Sequence, residues 1–197
     1  MTDDAAMTDA MPIGTALDRA LELFSAAVEQ IPATDWDRPS NLAGWSVRDL
    51  VGHATGSATK AVIQVEGGDI WRGPSEPADW VSERPVEDLR ELAERLHAAL
   101  PGADMDAPRP SPQGEVPLRR ALAFPVADLV LHSWDVRRSG GRETELPDDL
   151  LAMCEALVAG VPEEALRRPG AFGPAQPAPD DATPTARLMA HLGRAVT

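Results

Sequence analysis

Residues 117–139, PLRRALAFPVADLVLHSWDVRRS, carry the pattern that decides the fold. Read as a helix, the stretch is apolar around most of its circumference, which is typical of a helix at the centre of a bundle. Asp128 and His132 lie four residues apart and therefore share one face, one turn from each other. Asp135 returns to that face one further turn along. Burying acids and an imidazole is costly unless they are paired or bind a ligand, so this face predicts a site.

Length and charge limit the kind of protein that this can be. The chain has 197 residues, enough for one domain with a sizeable core. Its net charge of −14 argues against binding to nucleic acid or to an anionic membrane surface, because both require a basic face. No apolar run approaches the roughly 20 residues of a membrane span. The acidic N-terminus, MTDDAAMTDAM, lacks the pattern of a signal peptide, so we expect a cytoplasmic protein.

Apolar residues recur at helical spacing in five stretches. They predict helices at about 14–31, 46–66, 86–100, 117–139 and 147–159, with a short helical piece at 185–192. Ser46 and Asp49 have the spacing of a capping box at the start of the second helix. Pro125 should bend the fourth helix just before the site. No sheet of consequence is expected, because no stretch alternates convincingly between apolar and polar residues.

The predicted fold class is therefore all-α: a four-helix bundle with an additional C-terminal helix and an irregular, Pro/Gly-rich tail. We expect residues 1–12 to be a disordered N-terminal segment and residues 13–197 to form a single domain with a C-terminal extension. The single cysteine, Cys154, excludes an internal disulfide and a cysteine-based zinc cluster. It lies on an apolar stripe and is expected to be an inert core thiol.

A second histidine, His53, lies about two turns into the second helix, at the edge of its apolar stripe. Alone, such a histidine is more often a boundary residue than a ligand, and Asp128 and His132 alone could be an ordinary surface pair. In a bundle, however, metal sites are built from inward side chains on facing helices. Two histidines and one carboxylate are a common ligand set for Zn²⁺ or another divalent ion, with positions left open for water or substrate. Together the three residues predict a metal site.

Asp135 is the only residue that we find as a candidate for catalysis, and its role would be that of a general base. It could instead orient His132, since a metal-bound histidine usually needs such a partner. An ordinary alternative is a salt bridge to Arg119 or Arg138. His97 and His191 are expected to lie in solvent.

Two tryptophans in the loop at 67–84 are candidates for contacts with a cofactor or substrate. Trp71 and Trp80 either roof a pocket over the site or only cover the end of the bundle. Nothing in their spacing decides between these alternatives.

Three stretches resemble the DinB-like superfamily and, more narrowly, the mycothiol-dependent maleylpyruvate isomerase family with its short, single-domain relatives. They are GWSVRDLVGHATG (44–56), DLVLHSWDVRRSGG (128–141) and RRPGAFGPAQPAPDDATPTARLMAHLG (167–193). The resemblance implies a DinB-like four-helix bundle with a divalent metal at one end. Its ligands would be a histidine of the second helix and an acid–x–x–x–histidine pair of the fourth, which are His53, Asp128 and His132 here.

This chain departs from that family pattern in two respects. The isomerases carry glutamate where this chain has Asp128, whose shorter side chain could change the preferred metal. They also have a second, C-terminal domain that contributes to the active site, for which these 197 residues leave no room. Isomerase activity is therefore a weaker expectation than the metal bundle. Zn²⁺ is the expected metal, with Ni²⁺ and Mn²⁺ as alternatives.

Two kinds of function fit these residues. The first is a thiol-dependent transferase or isomerase, with mycothiol as the co-substrate and a small electrophile as the substrate; metal-dependent hydrolysis is a variant. The second is a non-catalytic bundle that binds a ligand or a structural metal. A structural site is closed by four protein ligands, and the fourth would have to be Asp135 or His191. We prefer the enzyme. A homodimer through one face of the bundle is left open.

Overall fold

Four long helices form a bundle in the computed structural model, which describes residues 11–72, 77–111, 114–142, 144–168 and 170–196. They are α1 (Ile13–Val28), α2 (Val47–Val65), α3 (Pro85–Ala99) and, after the short α4 (Leu118–Ala121), α5 (Ala123–Ser139). Both α1 and α2 pack against α3 and α5, so α3 and α5 lie at opposite corners. The predicted helical bundle is confirmed.

Three further helices follow α5 in the described part of the chain. Helix α6 (Asp148–Ala159) packs against α5 from outside the four-helix bundle. The tail predicted to be irregular contains one helical turn, α7 (Glu163–Leu166), and α8 (Pro184–His191) is the predicted last helix. Thr183 begins α8, because its hydroxyl accepts a hydrogen bond from the amide of Ala186 at 3.2 Å.

A small hairpin precedes α4. Strands β1 (Pro108–Ser111) and β2 (Gly114–Pro117) are antiparallel, with Pro108 opposite Pro117. The hairpin is fastened to the C-terminal end of α2, where Arg109 donates to the Gln64 carbonyl at 2.7 Å. Three of its described residues are prolines, which rarely occur in strands, so the sequence did not indicate it.

Helix α5 lies at the centre of the structure. All of its residues from Val126 to Val136 are buried except Asp128, which is partly exposed. Between α4 and α5 the regular helix is interrupted at Leu122. Pro125 has no N–H to donate to the Ala121 carbonyl, which explains the interruption that we predicted as a bend.

The N-terminal end of α2 is held by the predicted capping box. The Ser46 hydroxyl accepts from the Asp49 amide at 3.1 Å, and the Asp49 carboxylate accepts from the Ser46 amide at 2.9 Å. These bonds determine where α2 begins and so where His53, two turns later, projects.

No helix in the described parts of the chain is long and apolar enough to cross a membrane. Most of the N-terminal segment predicted to be disordered, residues 1–10, lies outside the described residues.

Candidate metal centre

His53 of α2 meets Asp128 and His132 of α5 where the two helices face each other. Nε2 of His53 lies 3.6 Å from Oδ2 of Asp128, and Nε2 of His132 lies 3.3 Å from Oδ1 of the same carboxylate. One potential ligand atom from each residue lies within 4.8 Å of the other two. The structure thus brings together the three residues that the sequence singled out.

The cluster is open on one side. The side chains of His53 and Asp128 are 32% and 28% exposed, whereas that of His132 is 8% exposed. A ligand can therefore approach past His53 and Asp128, while His132 forms the inner wall.

His132 is held by a carboxylate on the other side of its ring. Its Nδ1 lies 2.9 Å from Oδ2 of Asp135, one turn further along α5. A neutral imidazole that donates from Nδ1 keeps its lone pair on Nε2, which is the nitrogen beside Asp128. Asp135 therefore contacts the nitrogen that points away from the cluster, and its side chain is fully buried.

Asp135 has two more partners, both distant in sequence. Arg194 approaches it with Nη2 2.9 Å from Oδ2 and Nε 3.3 Å from Oδ1. Asn41 donates to Oδ1 at 2.8 Å. The salt bridge of Asp135 is thus with Arg194, rather than with Arg119 or Arg138 as the sequence alternative had it. Asn41 and Arg194 were not predicted from the sequence, because no local spacing relates them to α5.

The charges of this network favour an ionised carboxylate at both acids. Burial alone would raise the pKa of Asp135, but Arg194 and His132 outweigh it and lower that pKa to about 2. Burial also opposes ionisation of Asp128, yet the imidazoles of His132 and His53 hold its pKa well below the ordinary range. Burial alone would lower the pKa of His132, but the carboxylates of Asp128 and Asp135 outweigh burial and raise that pKa to about 9. Both carboxylates therefore favour a proton on His132.

Two neighbours complete the cluster on the α2 side. The Ser57 hydroxyl donates to Oδ2 of Asp128 at 2.5 Å. Trp45 lies edge-on to His53, with 5.0 Å between ring centroids, and the His53 and His132 rings are 5.1 Å apart. Ser57 is four residues after His53, so helical spacing could have identified it.

The two candidate pocket tryptophans differ in their surroundings. Trp80 packs onto α2, where a Cβ at Gly56 would lie 2.6 Å from its Cδ1. Gly56 is three residues from His53, on a neighbouring part of the same helix surface. Trp71 is 61% exposed and follows the other end of α2.

The remaining histidines and the cysteine are outside the cluster. His97 is 56% exposed and pairs with Asp18 at 2.6 Å, and His191 is exposed. Cys154 is fully buried, and burial raises the pKa of its thiol to about 12, so it stays protonated at neutral pH.

Residues 17–137 match the family model described as the mycothiol maleylpyruvate isomerase N-terminal domain. Two proteins of Mycobacterium tuberculosis, both named as uncharacterized (MT0763 and Rv0738), are each 30% identical to this chain over 183 residues. The match covers 90% of this chain and 95% of each relative.

A solved structure has the same fold. The crystal structure of the mycothiol-dependent maleylpyruvate isomerase matches with a TM-score of 0.55 at 18% identity, over 72% of this chain. A structure of that enzyme with a histidine-to-alanine mutation gives the same values. The match spans 65% of the isomerase chain, which is less than two thirds of its length. At this identity the likeness concerns the fold.

Proposed function

Because this chain belongs to the mycothiol maleylpyruvate isomerase N-terminal domain family, we propose that it binds one divalent metal ion through His53, Asp128 and His132. We further propose that it uses the ion with a small thiol of the mycothiol type, as a transferase or isomerase of a small electrophile. The convergence of three ligand atoms within 4.8 Å carries the proposal. Zn²⁺ is the metal we propose, and the cytoplasm remains the proposed location.

The donor set fits such an ion. Ligand bonds of about 2.0–2.1 Å to a tetrahedral Zn²⁺ place neighbouring ligand atoms roughly 3.4 Å apart. Nε2 of His53 lies 3.6 Å from Oδ2 of Asp128, and Nε2 of His132 lies 3.3 Å from Oδ1, so each imidazole nitrogen is at about this distance from one of the two carboxylate oxygens. Two imidazoles and one carboxylate can also bind Ni²⁺ and Mn²⁺, because these ligand types do not select strongly among divalent ions.

Three protein ligands favour catalysis over a purely structural metal. Among the described residues, no fourth His, Cys, Asp or Glu joins the cluster. Asp135 and His191 were the two candidates for a fourth ligand. Asp135 contacts Nδ1 of His132, the nitrogen that points away from the cluster, and His191 is exposed. When bound, the ion would supply a lowered pKa to a water or thiol in the open position.

The residues around the cluster would position its ligands. Asp135 is fully buried, so it cannot touch a substrate, and we assign it the orientation of His132 in place of a base role. Ser57 holds the Asp128 carboxylate. Trp80, packed beside the His53 face of α2, is the better candidate of the two tryptophans for contact with a bound thiol or electrophile.

Metal content by elemental mass spectrometry tests the proposal, with His53→Ala beside the control His97→Ala. We expect about one equivalent in the wild type and in the control, and almost none in His53→Ala. Equal metal in all three proteins would contradict the assignment. The loaded protein is then given mycothiol and a panel of small electrophiles, and loss of free thiol is followed.

Each outcome of the activity assay distinguishes one function. Metal-dependent consumption of mycothiol supports the transferase or isomerase. Turnover of an ester or amide without thiol would point to a hydrolase. A metal-loaded protein inert in both assays would be a binding protein. A homodimer is not tested by these measurements and stays a prediction.

A further inference from the structure

Ser57 of α2 forms a hydrogen bond across the bundle instead of along its own helix. Its hydroxyl donates to Oδ2 of Asp128, on α5, at 2.5 Å. A serine inside a helix can instead donate to a backbone carbonyl three or four residues earlier. Ser133 of α5 does this, since its hydroxyl donates to the Val130 carbonyl at 2.6 Å. Ser57 donates to the carboxylate in preference to such a local acceptor.

The length of this bond is that of a charge-assisted hydrogen bond. A hydroxyl that donates to an ionised carboxylate typically does so at about 2.5–2.7 Å, and such bonds are roughly twice as strong as neutral ones. Ser57 is four residues after His53, so one face of α2 supplies both a candidate ligand and a donor to a second candidate ligand. The orientation of the Asp128 carboxylate is therefore set in part by α2.

The two oxygens of Asp128 have different surroundings. Oδ2 accepts the Ser57 proton and lies 3.6 Å from Nε2 of His53. Oδ1 lies 3.3 Å from Nε2 of His132, and no hydroxyl donates to it within the described parts of the chain. The lone pair of Oδ2 that accepts a proton is not available to a metal ion, and the bond also draws electron density from that oxygen. Oδ1 is thus the better metal ligand of the two.

We propose that Ser57 restricts Asp128 to coordination through one oxygen, Oδ1, and thereby favours a four-coordinate ion such as Zn²⁺. With one oxygen from Asp128 and one nitrogen from each histidine, a tetrahedral ion keeps its fourth position for water or substrate. Mn²⁺ prefers an octahedral set rich in oxygen, so coordination through both oxygens would suit it better. Ser57 acts through Asp128 and is a positioning residue. This inference rests on the proposed metal site and adds which ion that site selects.

Cobalt-loaded protein tests the proposal, because the visible absorption of Co²⁺ depends on its coordination number. Four-coordinate Co²⁺ absorbs strongly, and the band weakens several-fold when a further ligand binds. We expect a strong band in the wild type and a several-fold weaker one in Ser57→Ala, in which Oδ2 can also coordinate. Competition with a chelator should show that Zn²⁺ affinity falls by about tenfold or more in this variant, while Mn²⁺ affinity changes less.

Ser133→Ala is the matched control. It removes the same hydroxyl from the residue beside His132, but that hydroxyl donates to the Val130 carbonyl. Its cobalt spectrum and both metal affinities should equal those of the wild type. Ser57→Ala should fold normally, because Ser57 is partly exposed and alanine has the highest helix propensity. Circular dichroism checks the folding of both variants.

A cobalt band of wild-type intensity in Ser57→Ala would overturn the proposal, and so would equal losses of Zn²⁺ and Mn²⁺ affinity. In either case the metal site would stand without this role for Ser57. A weak band already present in the wild type would also overturn it, because Asp128 would not be restricted to one oxygen. A wild-type protein that takes up no metal would instead refute the proposed function itself.

Discussion

Nδ1 of His132 lies 2.9 Å from Oδ2 of Asp135, and the same oxygen lies 2.9 Å from Nη2 of Arg194. One carboxylate oxygen thus joins an imidazole of the candidate metal centre to a guanidinium near the C-terminus. All three side chains are buried. The geometry of the centre therefore depends on a segment that follows the bundle helices in sequence, and variants at both ends of the link should reveal it.

Replacement of Asp135 by Asn should weaken metal binding. The variant removes the negative charge that holds the Nδ1–H of His132, and loss of such a partner typically lowers metal affinity by about 10–100-fold. Competition with a chromogenic chelator measures the change. Asp149→Asn is the matched control, because Asp149 pairs with Arg19 at the surface. Equal affinities in the two variants would show that Asp135 does not act on the centre.

Replacement of Arg194 by Gln should destabilise the fold. Arg194 is 6% exposed and its partner Asp135 is 0% exposed, so the variant leaves a buried carboxylate without its guanidinium partner. Breaking such a pair costs about 3–5 kcal/mol in the free energy of unfolding. Urea denaturation measures it. Arg95→Gln breaks the half-exposed pair with Glu66 and should cost no more than about 1 kcal/mol. A similar small loss in both variants would refute this role for Arg194.

Replacement of Gly56 by Ala should displace Trp80. The new methyl group would lie 2.6 Å from Cδ1 of Trp80 and 2.8 Å from its Nε1, too close for the present packing. Overpacking costs about 1–3 kcal/mol, against about 1 kcal/mol gained from the better helix propensity of alanine. We expect a net loss of up to about 2 kcal/mol and a shift in tryptophan fluorescence.

Gly102→Ala is the control for that variant, because nothing lies within 4 Å of a Cβ at Gly102. Its stability should change by no more than about 0.5 kcal/mol. Unchanged fluorescence in Gly56→Ala would mean that the contact between Trp80 and α2 does not hold the ring in solution.

The Cys154 thiol should make stability depend on pH above about 8.5. Its folded-state pKa, about 12, lies above that of an unfolded cysteine, so its contribution is complete below the unfolded pKa. The contribution is lost as pH rises toward the folded pKa, because only the unfolded chain gains a thiolate. Cys154→Ala should lose stability at neutral pH from the cavity, and the gap to the wild type should narrow between pH 8 and pH 10.

Denaturation of both proteins across that pH range measures the gap, and a gap that stays constant would contradict the prediction. A thiol reagent provides an independent check. Native protein should react slowly at pH 8, and unfolded protein at once, since Cys154 is fully buried.

The local part of the structure was determined by the sequence itself. Helical spacing predicted the bundle helices, and the Ser46–Asp49 capping box set the start of α2. The same spacing placed Asp128 and His132 on one face. These features involve residues within one or two turns of each other, whose relative positions follow from helix geometry. The prediction that His53 joins Asp128 and His132 also relied on the rule that bundle sites lie between facing helices.

Tertiary structure alone decided which residues surround that site. Asn41 and Arg194 meet Asp135 from 94 and 59 residues away in the chain, and Trp80 reaches α2 only because Gly56 lacks a side chain. The proline-rich hairpin formed against its strand propensity, held to the end of α2 by Arg109. Contacts of this kind depend on the paths of loops and on the packing of whole helices. No local spacing encodes them, because the free energy that selects them comes from burial and pairing across the folded chain.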